Sequence, residues 1–378
     1  MLRPREMQFK IERTKLFSAL SHIQNAVEKK NTIPILSNIL ITCQNSNLLL
    51  TATDLDLSMV EVVAGEIISD GATTTPAHLF YDIVRKLPDG AQIELSTDNE
   101  NSQIIIKSSR SKFSLPCLSK EEFPVISNDD LPHNFQISSK VLKKLLDKTK
   151  FAISTEETRY YLNGVYFHKP DNVDNPVMRS VATDGHRLAY TESKLPDGVS
   201  DIPSIIVPRK AVSEVRRLLD QFDEDINVSL SDAQMRFNIG TTTINTKLID
   251  GTFPDYQRVI PEQNNKFMKV DRSDFVAAVD RVSTISTEKS RAIKLSIESN
   301  MMKISANSAD TATAYEEVAI EYDSELIEIG FNSKYLLDIT SHVEGSIINF
   351  SLSDSVSPAI ITDDSDSQSL FVLMPMRV

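Results

Sequence analysis

The chain has 378 residues, 40% of them hydrophobic and 25% charged, the balance of a globular protein with room for two or three cores. Its net charge is −13, with two cysteines, 10 glycines and no tryptophan. These numbers exclude a disulfide framework and a Cys-rich metal site, leave little room for glycine-rich phosphate loops, and include no apolar run long enough to span a membrane. The polar stretch before Phe9 lacks the apolar core of a signal peptide, and the two cysteines fit a reducing, cytoplasmic location.

In chain order, three segments follow one plan. The first opens on FKIERTKLFSAL from Phe9, a short strand and then an amphipathic helix. It continues through TATDLD from Thr51, a second strand and helix in TTTPAHLFYDIVRKL from Thr73, and the alternating SQIIIK at 102–107, to Phe123-Pro124. The second opens on FQISSKVLKKLL from Phe135. It passes VATDGHR from Val181, SIIVPRKAVSEVRRLL from Ser204 and an alternating run at 234–239, and ends at Phe253-Pro254. The third opens on FMKVDRSDFVAAV from Phe267 and passes ISANSAD from Ile304, IEIGFNSKYLLDIT from Ile327 and an alternating run at 345–352. Asp54 and Asp184 stand 130 residues apart, as do the two Phe-Pro pairs, and Ala182 and Ala306 stand 124 apart.

A period this long is no solenoid unit; it predicts three copies of one domain. Polar, turn-rich stretches place the boundaries near Pro132-His133 and 263–266, giving 1–133 (with 1–6 as an extension), 134–265 and 266–378. The fold class is α+β, with two helices against antiparallel sheets in each copy.

The six predicted helices, 13–22, 77–86, 140–150, 209–219, 272–281 and 333–342, hold 16 Lys and Arg against 6 Asp and Glu, while the whole chain holds 40 against 53. In 140–150, Val141, Leu142, Leu145 and Leu146 form an apolar stripe opposite Lys140, Lys143, Lys144 and Lys148. In 209–219, Val212, Val215, Leu218 and Leu219 face inward and Arg209, Arg216 and Arg217 outward. One such helix is more simply a solvated face. The six taken together, with the bias concentrated in the middle repeat, predict a positive surface on a negative molecule, which suits a protein that surrounds a polyanion. Phosphate contacts without base readout would let it slide.

The motifs TIPILSN (32–38), TATDLD (51–56), RYYLNG (159–164), VATDGHRLA (181–189), VPRKAV (207–212), KLIDGTFPDY (247–256) and MPMR (374–377), in this order, resemble those of the β subunit of bacterial DNA polymerase III, the sliding clamp family, from about Met7 onward. The resemblance implies a non-catalytic processivity factor without cofactor. It would form a head-to-tail homodimeric ring of six domains around double-stranded DNA of any sequence. Its partners would be the polymerase III α subunit, the clamp loader, other polymerases and repair proteins, each bound through a short linear motif.

The same resemblance implies site residues. A peptide-binding pocket would use Leu162, Thr183, Gly185, His186, Arg187, Leu188, Pro254, Arg258, Val259, Val372 and Met374 in its deeper part. Arg159, Tyr161, Pro358, Pro375, Met376 and Arg377 would form the shallower part, with Asn332 and Tyr335 between. The ring joint would use Arg110, Lys112, Phe113 and Leu115 against Thr284, Ile285 and the acids Asp310 and Glu316. Ala312, Thr313 and Tyr315 interrupt those acids, a departure from the family pattern. Lys30, Tyr160 and Lys210 would meet DNA, joined by Lys140, Lys143, Lys144, Arg216 and Arg217 from the helix faces.

Two other readings compete. A hydrolase built on Asp184, His186 and Asp255 lacks a nucleophile elbow or metal motif, and a histidine after Asp-Gly reads as a pocket wall. A repeat-built scaffold without DNA would give the basic helices no task.

Overall fold

The structure, a computed structural model, describes residues 6–28, 32–44, 46–98, 100, 102–124, 130–171, 175–199, 201–286, 291–307 and 312–377; Lys30 and Asp310 lie outside the described residues. The six helices form as α1 (Arg13–Ile23), α2 (Ala77–Lys86), α3 (Ser139–Asp147), α4 (Arg209–Leu218), α5 (Arg272–Ser283) and α6 (Ser333–Thr340). Apolar spacing explains them: in α1, Leu16, Ala19, Leu20 and Ile23 fall on one stripe and are buried. Two helices open on side-chain caps. Asp271 Oδ1 accepts from the Ser273 and Asp274 amides at 2.8 and 3.1 Å, and Asn332 Oδ1 from those of Lys334 and Tyr335 at 3.0 and 3.3 Å. Such caps contribute about 1 kcal/mol each.

One expectation is corrected here. The third helix stops at Asp147, and Lys148, expected on its outward face, is buried. Its ammonium donates to the His342 carbonyl at 2.6 Å and pairs with Glu344 at 2.8 Å and Asp366 at 3.4 Å. The apolar stripe predicts which residues turn inward, but a cation with three acceptors can be buried as well.

The chain divides into two compact units, 1–140 with 210–248, and 141–209 with 249–378. The first holds a five-stranded antiparallel sheet in the order Glu66–Ser69, Gln8–Glu12, Gln92–Asp98, Gln103–Ser108, Ser111–Pro116. It also holds an eight-stranded sheet: His133–Ser138, Asp225–Leu230, Gln234–Ile239, Thr242–Lys247, Leu57–Ala64, Asn47–Thr53, Asn38–Gln44, Gly71–Pro76. The second unit carries one sheet of twelve strands. It runs Ile205–Pro208, Gly164–His168, Val177–Thr183, Arg187–Lys194, Asp366–Leu373, Ala359–Asp363, and on through Ile347–Leu352, Lys266–Asp271, Thr313–Glu321, Met301–Asn307, Ala292–Glu298 to Ile327–Asn332. Phe9 and Phe80 are fully buried in the first unit, and Phe275, Phe331, Phe350 and Phe371 in the second.

The sheets run across the repeats. Leu57–Ala64, which follows TATDLD, pairs with the last strand of the second repeat, from Leu57↔Thr246 to Glu61↔Thr242. Arg187–Lys194, which follows VATDGHR, pairs with the last strand of the third, from Arg187↔Leu373 to Thr191↔Ser369. In the third repeat Thr313–Glu321 pairs along one side with Met301–Asn307 and on the other only through Ile320 and Glu321. Among the described residues, 313–319 have no strand on that second side. Ser111–Pro116, the last strand of the first repeat, ends its five-stranded sheet.

Candidate functional site

The turn after Val177–Thr183 is made by its own short polar side chains. Asp184 Oδ1 accepts from the amides of His186 and Arg187 at 2.9 and 3.0 Å. Thr183 Oγ1 accepts from the Gly185 amide at 3.1 Å and donates to the Arg187 carbonyl at 2.7 Å. Gly185 has φ +87°, and a Cβ there would run into the guanidinium of Arg159. Glycine thus serves twice, for the left-handed backbone and for the side chain lying on it. Arg159 is held in place by Glu156, Nε to Oε2 at 2.8 Å.

Arg187 is buried and fully engaged. It donates to Asp184 Oδ2 at 3.1 Å, Asp338 Oδ2 at 2.6 Å and the Phe151 carbonyl at 2.7 Å. Its guanidinium carbon lies 4.4 Å from the Tyr335 ring centre and 5.1 Å from that of Phe151. Arg187 also lines a cavity of about 260 Å³.

That cavity brings together eleven residues expected of the pocket: Arg159, Tyr161, Leu162, Thr183, Gly185, Arg187, Leu188, Pro254, Val259, Val372 and Met374. Beneath them Leu162, Val181, Leu188, Ile206, Phe253, Tyr256 and Val372 form one buried apolar cluster. Asp255 and Tyr256 also line the cavity and were not among the expected residues, although both stand in the KLIDGTFPDY motif.

His186 and Arg258 lie beside the cavity without lining it. The His186 ring stacks on Tyr335 with centres 6.1 Å apart, and the exposed Arg258 pairs with Asp255 at 2.8 Å. Met374 donates its amide to the His186 carbonyl at 2.9 Å, and Met376 to that of Gly330 at 2.8 Å. The run 374–377 thereby carries on to a second hollow of about 560 Å³, where Pro375, Met376 and Arg377 meet Lys294, Glu328 and Val356. Asn332, the α6 cap, Tyr335 and Pro358 line neither hollow; Tyr335 meets His186 and Arg187 beside the first, and the Pro358 carbonyl accepts from Asn264 at 3.0 Å.

The chemistry on offer is binding. Both Asp184 oxygens are spent on the turn and on Arg187, and Asp255 is paired, so neither is set up as a base for His186. A mostly apolar hollow with a few polar groups at its mouth can hold apolar side chains in one register. Methionine at the rim can repack around different ones.

The basic residues are placed as follows. Lys140 is 78% exposed and 3.8 Å from Asp223, and Lys143 is half-buried. Lys144 pairs with Asp366 at 2.7 Å, Lys210 with Asp54, Arg216 with Asp220 at 2.7 Å and Arg217 with Glu214 at 2.7 Å. Tyr160 is exposed, its ring edge-on to Tyr161. Of the joint residues, Arg110, Lys112 and Thr284 are exposed, and Phe113 and Ile285 half-buried. Leu115 is buried within its own sheet, and Glu316 pairs with Arg281 at 2.5 Å. Among the described residues no group of three His, Cys, Asp or Glu side chains could hold a metal, and no helix is long and apolar enough to cross a membrane.

Comparison with known proteins gives three family models, the N-terminal, central and C-terminal domains of the DNA polymerase III beta subunit, matching residues 7–127, 136–255 and 257–377. The beta sliding clamp of Caulobacter vibrioides is 45% identical over 372 residues, covering 98% of this chain and all of the relative. That of Escherichia coli is 36% identical over 375 residues, covering 98% of this chain and all of the relative. Among solved structures, the sliding clamp of Bartonella birtlesii bound to griselimycin superposes with a TM-score of 0.96 at 48% identity, covering 99% of this chain and all of the other.

Proposed function

The chain belongs to the β-subunit family of bacterial DNA polymerase III, the sliding clamps, and from that premise we propose how this member closes, holds DNA and takes up its partners. It is a processivity factor for DNA polymerase and not an enzyme.

Two copies join head to tail into a ring of six domains, with repeats at 1–133, 134–265 and 266–378. One observation carries this: twice in the chain, the strand after the small-residue motif is completed by the last strand of the following repeat. Within residues 1–378 no repeat follows the third such strand. A second copy supplies Ser111–Pro116, and the same rule applied to both copies closes a two-fold ring. Phe113, Thr284 and Ile285 form the apolar part of that joint, with Leu115 buried on the same strand as Phe113 and Arg110, Lys112, Asp310 and Glu316 flanking it. Light scattering on the purified chain is expected to give twice the monomer mass, and Phe113→Asp to give a monomer. A wild-type monomer, or a Phe113→Asp dimer, would sink the closure.

The apolar cavity is the pocket for short linear motifs of the polymerase III α subunit, the clamp loader, other polymerases and repair proteins. Griselimycin, held by the Bartonella birtlesii clamp, is expected to occupy it. Duplex DNA passes through the ring and is held by charge without base readout. Lys30, Lys140, Lys143 and Tyr160 are among its contacts, Lys140 by leaving Asp223, 3.8 Å away, for a phosphate. Lys144, Lys210, Arg216 and Arg217 already have carboxylate partners, and so act through the local field or by trading a carboxylate for a phosphate. The protein works in the cytoplasm.

A further inference from the structure

Under the cavity lies a buried polar cluster that neither the Asp184 turn nor the C-terminal run accounts for. Tyr256 lines the cavity and is only 4% exposed. Its phenol oxygen lies 3.0 Å from His168 Nε2 and 2.7 Å from Arg179 Nη1, which donates to it. Arg179 also donates through Nε to Glu192 Oε1 at 2.6 Å, and its guanidinium carbon lies 4.5 Å from the Tyr190 ring centre. His168 stacks on Tyr166 with centres 4.6 Å apart, and Tyr166 on Phe253 at 4.7 Å, the residue before Pro254 of the cavity rim.

Burial first, and then the Arg179 cation, push the His168 pKa down to about 4. The imidazole is neutral at physiological pH, so Nε2 is able to accept the phenol proton. The Tyr256 hydroxyl then donates to His168 and accepts from Arg179. Both of its hydrogen-bonding directions are then satisfied by His168 and Arg179, which do not line the cavity while Tyr256 does.

We infer that Arg179 and His168 are positioning residues for the pocket, acting through Tyr256. This rests on the cavity being the partner-binding pocket. A loosened phenol ring would tilt into or away from the hollow, and an occupant would meet a wall of uncertain shape.

The test is a double-mutant cycle on the full-length protein, with griselimycin as the titrated probe and calorimetry as the readout. Arg179→Leu and Tyr256→Phe are each expected to weaken binding about tenfold, and the double variant no more than the worse single one. Losses that multiply to about a hundredfold would show that Arg179 acts without Tyr256, and would overturn the inference. A second readout is the fluorine spectrum of the protein made with 3-fluorotyrosine, the Tyr256 signal being the one that Tyr256→Phe removes. Arg179→Leu is expected to shift and sharpen that signal, and Arg179→Lys to restore part of the position; an unmoved signal also overturns the inference. If Arg179→Leu does not fold, His168→Leu enters the same cycle with the same expected results. Failure of the wild type to bind griselimycin at this cavity would overturn the pocket and the inference together. Binding with multiplying losses overturns only the inference.

Discussion

In the first unit Leu57–Ala64 meets Thr242–Lys247, and in the second Arg187–Lys194 meets Asp366–Leu373. The backbone ladders match in length and direction, but the polar groups buried beside them do not. At the first joint Glu61, 3% exposed, accepts from the Thr241 hydroxyl at 2.6 Å and from that of Thr242, and sits 3.2 Å from His22 Nδ1. His22 Nε2 lies 2.8 Å from Gln221 Oε1, while Arg217 donates to the Ser21 and His22 carbonyls. At the second joint Asp366 takes Lys144 at 2.7 Å, the Ser369 hydroxyl at 2.6 Å and Lys148 at 3.4 Å.

Burial opposes the charge on both titrating groups, and in both the partners outweigh it and favour the charged form. The Glu61 carboxylate raises the His22 pKa in spite of burial and the nearby Arg217. Lys144, Ser369 and Lys148 lower that of Asp366. One joint is thus tightened by a proton gained and the other by a proton lost. A shared strand ladder fixes geometry and leaves the chemistry of each joint to vary.

The contrast can be broken, and the largest effect is expected at the second joint. Asp366→Ala leaves Lys148, whose side chain is 5% exposed, with the exposed Glu344 as its one remaining carboxylate among the described residues. It is expected to cost about 3–5 kcal/mol in urea unfolding. Glu61→Gln should cost less, about 1–2 kcal/mol, because His22 can shed its proton and the amide oxygen still accepts. The reverse order would show that the first joint is the stronger one.

The next effect concerns the two motif turns, which share a pattern. Asp54 Oδ1 accepts from the amides of Asp56 and Leu57 as Asp184 does from those of His186 and Arg187, yet Leu55, at φ +82°, stands where the second repeat has Gly185. Gly185→Ala is expected to cost about 1–2 kcal/mol and to displace Arg159, while Leu55→Gly gains less than about 1 kcal/mol. Thermal unfolding of the pair reads both signs, and equal changes would erase the distinction between the turns.

The smallest effect is the pH dependence. The raised His22 pKa contributes stability that is present below the unfolded value near 6.5 and lost as pH rises through the folded value. The lowered Asp366 pKa contributes stability present above 3.8 and lost as pH falls through the folded value. The unfolding gap between wild type and His22→Gln should therefore close toward alkaline pH, and that for Asp366→Asn toward acid. Gaps that stay constant, or close in the same direction, would remove the opposition between the joints.

Much of this was legible in the sequence. The apolar spacing near 13, 77, 140, 209, 272 and 333 marks the six α-helices of the described residues, and the 130-residue offset of Asp54 and Asp184 marks the repeat. The alternation in Gln234–Ile239 told which side chains face inward but not which strand lies alongside. Period two carries a face and no partner, so the crossing of sheets between repeats was invisible. The pocket was read from motif resemblance. Tyr256 carries no signal beyond its place in KLIDGTFPDY, and His168 and Arg179 stand outside the motif stretches of their strands, where only contact in space gives them a role. Lys148 was misplaced because helix periodicity assigns a lysine outward unless a distant carboxylate such as Asp366 is known.

The borrowed strand also has a cost in time. As the chain leaves the ribosome, Leu57–Ala64 appears roughly 180 residues before Thr242–Lys247 can cover its edge. At ~5–20 residues per second that edge stays bare for roughly 9 to 36 seconds. Arg187–Lys194 waits nearly as long for Asp366–Leu373. A nascent first repeat is thus a half-finished sheet with donors and acceptors on display, open to pairing with its neighbour on the same polysome. Early help from a chaperone, or slow synthesis at low crowding, should matter more for the yield of this protein than the stability of its finished form.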